Sequence, residues 1–419
     1  MNLSRLLSPL AAAALALGLA TPVRAADTQA APHWVGSWIA SPQATWGADF
    51  VLPNGAPARL HDQTLRQVAR VSVGGGRVRI ALSNAYGDAP VTIGAARIAR
   101  SAGGSRIEPG SDRVLTFGGR REVTLLPGAP VLSDPVELKL AALAEVAVSL
   151  YLPQDTALRS FHWEGRQDAF LVAGDRTAQA RLDGGDVLQT RPFLSGVYVE
   201  AAQPVRRVVA FGDSITDGAA STPNRYQRWP DLLAQRLAPR GVAVLNAGIS
   251  GARVLSDGMG VSALARFERD VLSQRPDAVV LLMGINDIAW PGSSFEPARE
   301  AVDAQRLIDG YRQLIARARL QSVRIVGATL TPFEGALPGT PIHDYYSPAK
   351  ERVRQTVNAW IRDSGEFDAV VDFDAIVRDP QRPTRFLPVY DSGDRLHPGD
   401  AGYRAMAAAL DEPLLFGPR

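Results

Sequence analysis

The sequence has no cysteine, which removes disulfides, thiolate metal sites and thiol nucleophiles together. It has only two lysines, Lys139 and Lys350, so nearly all of its positive charge is arginine. Lys+Arg of 45 against Asp+Glu of 43 leaves a formal net charge of +2, and that balance argues against a nucleic-acid surface built on bulk charge. There is no His-Glu-x-x-His pattern and no glycine-rich phosphate loop, so no metal or nucleotide cofactor is implied. After the first residues, no apolar run is long enough to span a bilayer.

What is present is a chain of 419 residues, 46% hydrophobic and 21% charged, the composition of a soluble protein long enough for two domains. At the N-terminus, Arg5 precedes an apolar Ala/Leu run from Leu6 to Ala20, and Val23-Arg24-Ala25 offers small residues before Ala26. Residues 1–25 therefore read as a signal peptide, and the mature protein is expected to be secreted or periplasmic.

Residues 32–202 show short alternating runs punctuated by Gly, Pro, Asn and Asp, with no helical period of useful length. Strands are expected at Thr64 to Val73, Arg77 to Leu82, Val91 to Ile98, Val114 to Phe117, Val123 to Leu126, Val136 to Leu140, Val146 to Leu152 and Val197 to Glu200. The first two, separated by Gly74-Gly75-Gly76, read as a hairpin. So many short strands predict an antiparallel β-sandwich of jelly-roll type. After Ala201-Ala202-Gln203-Pro204, residues 203–419 alternate strand and helix. Strands are expected at 205–211, 242–246, 278–283, 323–329 and 369–373, and helices at 229–237, 263–272, 298–319, 348–363 and 398–410. That alternation calls for a parallel sheet covered on both faces, an α/β domain.

The apolar run Val208-Val209-Ala210 leads into Phe211-Gly212-Asp213-Ser214-Ile215-Thr216-Asp217-Gly218. A serine on the turn leaving a central strand stands where ligands bind in an open α/β sheet. Its hydroxyl needs a base, and the base needs a group to fix its tautomer. Asp391-Ser392-Gly393-Asp394-Arg395-Leu396-His397-Pro398 offers both. Asp394 lies three residues before His397; Asp391 is a competing orienter farther along the loop. Acyl transfer also needs donors for an oxyanion. Asn246-Ala247-Gly248-Ile249-Ser250-Gly251 offers the Gly251 N–H, and Gly284-Ile285-Asn286-Asp287 the Asn286 amide, each after a strand.

These four segments, in this order at strand ends, resemble the GDSL/SGNH hydrolase superfamily over most of residues 205–412. The resemblance implies a flavodoxin-like three-layer α/β/α fold, with Ser214 as nucleophile, His397 as base and Asp394 as its orienter. It also implies an oxyanion hole of the Ser214 and Gly251 N–H groups and Asn286. Trp34-Val35-Gly36-Ser37-Trp38, Thr64-Leu65-Arg66-Gln67, Leu82-Ser83-Asn84 and Arg228-Trp229-Pro230-Asp231 are similar to a secreted subgroup related to xylan-cluster arylesterases and acetyl-xylan-type esterases, in which a β-domain precedes the catalytic one. In that pattern an Asn often follows Gly251, where this chain has Ala252.

Other residues carry competing readings. Asp213 is expected to hold its own turn. Arg253, Asp217 and Asp287 either line the pocket or pair with each other. His343 lies in a long strand-to-helix loop that is a candidate substrate rim, and a solvated role suits it better. His33, His61 and His162 lack metal-ligand spacing. Trp34, Trp38, Trp46 and Trp163 could stack on sugar rings, although tryptophan in a sandwich is more often core.

The expected protein is a serine ester hydrolase acting through an acyl-enzyme on short acyl esters, acetyl foremost, borne by a small molecule or polysaccharide. The alternatives are a general arylesterase or short-chain lipase, a carbohydrate-binding protein with an inactive hydrolase domain, and acyl transfer to another hydroxyl. No cofactor, nucleic-acid partner or membrane span is expected, and the sequence leaves the oligomeric state open.

Overall fold

The computed structural model describes residues 33–418, so the segment read as a signal peptide lies outside the described residues. Two larger antiparallel sheets, with three two-stranded antiparallel pairs beside them, make up the N-terminal half. One runs in the order His33–Ile39, Leu194–Ala201, Gly75–Ser83, Pro130–Leu132, with Val136–Leu140 also on Gly75–Ser83. The other runs Asp186–Leu188, Ala169–Ala173, Gln63–Arg70, Glu145–Leu152, Ala95–Arg100, Arg113–Leu115. Period-2 alternation turns Val78, Ile80 and Leu82 of the first sheet, and Val146, Val148 and Leu150 of the second, into one shared core.

The expected hairpin does not form. Gln63–Arg70 and Gly75–Ser83 lie in different sheets, because the chain crosses between layers at Val71 to Gly74 in place of turning back. The glycines serve close approach: a Cβ on Gly74 would overlap the Leu140 carbonyl oxygen, and one on Gly75 would overlap that of Glu200. The single strand expected over Val91–Ile98 is likewise divided at Gly94 into Val91–Ile93 and Ala95–Arg100, which join different sheets.

From Arg206 the main sheet is parallel, and one antiparallel pair, Arg378–Asp379 with Arg382–Phe386, stands outside it. Five strands stand in the order Val242–Gly248, Arg206–Gly212, Ala278–Leu282, Arg324–Ala328, Ala369–Val371, the flavodoxin-like order with its switch point beside Arg206–Gly212. Near-continuous apolar runs such as Ala278-Val279-Val280-Leu281-Leu282, all buried, fit strands covered on both faces. Helices Trp229–Leu237 and Pro348–Asp363 start where proline favours a first turn, and the Ser347 side chain caps the second by accepting from the Lys350 N–H. The helix expected from residue 298 begins at Ala304, where Asp303 accepts from the Arg306 N–H. Among the described residues no helix is long and apolar enough to cross a membrane.

The two halves share buried contacts. The Val244 N–H donates to Ser72 Oγ at 3.3 Å, Ile39 belongs to the α/β core and Ala243 to the β core. His162 of the β half is buried with Nε2 3.0 Å from Asp217 Oδ1 and Nδ1 3.0 Å from the Ser41 carbonyl oxygen. Both ring nitrogens face acceptors, so the ring is best satisfied as imidazolium. Burial works against that charge, but Asp217 and the Ser41 carbonyl outweigh it and raise the His162 pKa. A raised folded-state pKa gives stability that is fully present below the unfolded value, about 6.5, and lost as pH rises through the folded value. His162→Ala should cost roughly 3–5 kcal/mol at pH 6, the scale for breaking a buried pair. Denaturant unfolding should show the gap between wild type and variant narrowing steadily as pH rises; a gap constant with pH would refute the linkage.

Candidate active site

Ser214 opens a short helix, Ser214–Asp217, directly after the strand Arg206–Gly212. The Asp213 side chain caps that helix, accepting from the Ile215 N–H at 3.1 Å. Burial pushes the Asp213 carboxyl up to about 7, against the charge-favouring Ile215 N–H. Asp213 is thus the turn holder expected. Arg266, fully buried, binds the end of this strand and of its neighbour through the carbonyls of Gly212 (3.0 Å) and Ala247 (2.8 Å). The switch point from which Ser214 projects is therefore cross-braced.

The C-terminal loop comes back across the sheet to this serine. His397 Nε2 lies 2.8 Å from Ser214 Oγ, and His397 Nδ1 lies 2.7 Å from Asp394 Oδ2. The other Asp394 oxygen accepts the backbone N–H groups of Leu396 (2.9 Å) and His397 (2.8 Å). Burial opposes ionisation of Asp394, but the bond and charge of His397 with these N–H groups overcome it and hold the carboxyl well below the usual range. Asp391, the competing orienter, spends Oδ1 on the N–H groups of Gly393 and Arg395 and shapes the turn.

Gly251 and Asn286 line the same cavity as Ser214, Asp394 and His397, so the structure brings all five expected residues together. Gly251 sits at φ +73°, and a Cβ there would overlap Met259 Sδ; only glycine allows this approach. The Asn286 amide nitrogen donates to the Ala252 carbonyl oxygen at 3.0 Å, while its Oδ1 accepts from Trp290 Nε1 (3.1 Å) and the Tyr345 hydroxyl (2.6 Å). Two donors on the oxygen fix the amide orientation and leave the second amide hydrogen for a ligand. The sequence reading missed Trp290 and Tyr345. Trp290 follows Asn286 by four residues on one helical face, a readable signal; Tyr345 comes from a distant loop and gives none.

Asp217, Asp287 and Arg253 follow neither expected reading. Asp217 Oδ2 accepts the N–H (2.9 Å) and hydroxyl (3.2 Å) of Ser250. Asp287 accepts the N–H groups of Val254 (2.8 Å) and Leu255 (2.9 Å), with burial raising its pKa to about 6. Arg253 pairs with Glu296 at 2.6 Å. The two carboxylates thus grip the loop carrying Gly251 from both ends. His343 is exposed and outside the cavity lining, but its loop supplies the rim through Leu337, Thr340, Pro341, Ile342 and Tyr345.

The cavity measures about 370 Å³. Three of its wall residues, Leu52, Trp163 and Glu164, come from the β half, a contribution the sequence did not reveal. Of the four tryptophans considered for sugar stacking, Trp163 alone lines this cavity. Trp34 lies against Arg79, its ring centroid 3.9 Å from the guanidinium carbon; Trp38 is buried; and Trp46 packs edge-on against Trp163 with centroids 5.5 Å apart.

A hydroxyl bonded to an imidazole, with amide donors across a small cavity, suits attack on an ester carbonyl, and the protein is a carboxylic ester hydrolase. Residues 210–405, a little under half of this chain, match the GDSL-like Lipase/Acylhydrolase family. An acetylxylan esterase from Geobacillus stearothermophilus is 26% identical over 227 residues, covering 50% of this chain and 94% of that protein. A solved structure of an acetylxylan esterase from the same species is 25% identical, covers 49% of this chain and 91% of its own, and has a TM-score of 0.37. A lipase/acylhydrolase from Enterococcus faecalis is 22% identical, with 49% and 92% covered and a TM-score of 0.36. Each of these relatives covers about half of this chain.

Proposed function

We propose that this protein is a secreted or periplasmic hydrolase of short acyl esters, acetyl foremost, on carbohydrate alcohols, and that it acts through an acyl-enzyme on Ser214. The observation that carries the mechanism is the continuous relay from Asp394 Oδ2 through His397 to Ser214 Oγ, with links of 2.7 and 2.8 Å. In it, His397 Nε2 takes the Ser214 proton as Oγ attacks the carbonyl carbon. The N–H groups of Ser214 and Gly251 and the Asn286 amide hold the oxyanion. His397 then returns the proton to the leaving alcohol, and water resolves the acyl-enzyme with the same base. Asp394 holds the imidazole in the tautomer with Nδ1 protonated.

The acetyl preference draws on the acetylxylan esterase relative, and export on the N-terminal sequence pattern. The apolar wall of Leu52, Met259, Phe295, Leu337 and Ile342 favours a second reading, a general arylesterase or short-chain lipase. A panel of acetylated xylan and p-nitrophenyl esters of rising chain length, run with a serine-directed fluorophosphonate label, separates the two. Acetyl esters should be cleaved fastest and the label should block turnover. A long-chain optimum would support the second reading, and turnover unaffected by full labelling would remove the acyl-enzyme. Asn286→Ala should lower kcat by about 10² to 10³, the usual effect of losing one oxyanion donor, with KM nearly unchanged. A rise in KM alone would deny the amide that role.

A further inference from the structure

We propose that the β half builds the binding site for the alcohol half of the ester, with Trp163 and Glu164 receiving an uncharged, polyhydroxylated alcohol such as a pyranose. This rests on the ester-hydrolase reading of Ser214 and adds the side of the cavity that selects the substrate.

Glu164 is the one carboxyl group among the described cavity-lining residues apart from Asp394. Its side chain is 15% exposed, and its Oε1 accepts from Arg166 Nη1 at 3.1 Å. Burial is the main influence raising its pKa, with Asp217 adding to it; Arg166 and His397 pull the other way. Glu164 and His397 line the same cavity. Position along the cavity then follows from the chemistry. The leaving oxygen must receive its proton from His397 Nε2, so the group attached to that oxygen departs along the wall beside His397. The apolar residues Met259 and Trp290 sit instead with the oxyanion donors, Met259 against Gly251 and Trp290 bonded to Asn286. A carboxylate that takes hydroxyl donors matches the alcohol half of the ester, and the apolar wall matches the acyl group.

Trp163 is held rigidly. Its backbone N–H donates to Gln43 Oε1 at 3.0 Å, the same buried Gln43 donates to the Met259 carbonyl oxygen at 2.7 Å, and the indole N–H is taken by the Pro53 carbonyl oxygen at 3.0 Å. With its N–H spent inside the protein, the indole offers a ligand only apolar ring surface, which suits the C–H face of a sugar ring. Arg166 occupies one Glu164 oxygen and offsets its charge. That leaves Oε2 for a hydroxyl donor and makes a cationic alcohol a poor fit. A preorganised ring face beside a carboxylate acceptor is a site for a neutral polyol, and the β half supplies both parts.

The test compares kcat/KM for partially acetylated xylo-oligosaccharide and for p-nitrophenyl acetate in wild type, Glu164→Gln, Glu164→Leu and Trp163→Ala. The sugar-to-aryl ratio should fall about tenfold or more in Glu164→Leu, on the scale of one hydrogen bond to a charged group. The fall should be mainly in the sugar ester's KM and partly restored in Glu164→Gln; Trp163→Ala should lower the ratio as well. Independently of any variant, xylobiose should inhibit wild-type p-nitrophenyl acetate hydrolysis competitively. An unchanged ratio in folded variants, no inhibition by xylobiose, or a preference for acetylcholine over the sugar ester would overturn the proposal. A wild type active on p-nitrophenyl acetate with any of these results refutes this subsite alone, whereas a wild type inert on both esters refutes the hydrolase reading beneath it.

Discussion

Ser214→Ala is expected to lower kcat by about 10⁶, and His397→Ala by a similar factor, the scale on which losing the nucleophile or its base collapses a relay that works as a unit. The reason is local. Among the described residues, Ser214 Oγ is the one hydroxyl bonded to His397 Nε2, so no second hydroxyl is presented there to the same ring nitrogen. The fold should tolerate the change. Asp213 caps the short helix through Ile215, and the Gly218 N–H donates to the Ser214 carbonyl oxygen, neither of which uses the serine side chain. Thermal unfolding should therefore be nearly unchanged while release of p-nitrophenol from the acetate ester falls to the residue left by substrate binding and the oxyanion donors. Near-wild-type turnover by purified Ser214→Ala would sink the mechanism.

Asp394→Asn should lower kcat by about 10⁴, although it removes a single charge and almost no volume. The geometry forces the outcome. One oxygen at position 394 must go on accepting the N–H groups of Leu396 and His397, so an asparagine turns its carbonyl there and its NH₂ toward His397 Nδ1. Two donors cannot face each other, and Nδ1 then gives up its hydrogen and becomes the acceptor. The proton moves to Nε2 and points at Ser214 Oγ, where a base is needed. Activity should fall in kcat with KM close to wild type, and alkaline pH should restore little because the fault is the tautomer. A loss under tenfold would show that Asp394 merely steadies the ring.

How far these residues could be read beforehand varied with the kind of signal. The helices Trp229–Leu237 and Pro348–Asp363 were legible to the residue, since proline and a serine cap mark their starts within a few positions. The parallel strands were legible because a strand buried on both faces must be continuously apolar. Gly74-Gly75-Gly76 misled because glycine serves turns and close approaches alike, and the difference lies in the Leu140 and Glu200 carbonyls packed against it. The relay residues stood out by type and order. Glu164 and Tyr345 did not, and Trp163 stood only as one of four candidate stacking rings, because nothing near them in the chain reports that they reach a serine at position 214.

Sequence by itself set the scaffold and the residues of the proposed relay: an α/β succession with a serine after its first parallel strand, a His–Asp pair three residues apart, and glycine and asparagine at the next two strand ends. These follow from local periodicity and residue type, which act over a few positions. Tertiary structure alone decided what holds the Asn286 amide and that the β half closes the cavity with Trp163 and Glu164; for Asp394, which the sequence already favoured over Asp391, it supplied the bond to the imidazole. Those outcomes depend on packing between segments tens to hundreds of residues apart, where burial and hydrogen-bond satisfaction act across the whole fold.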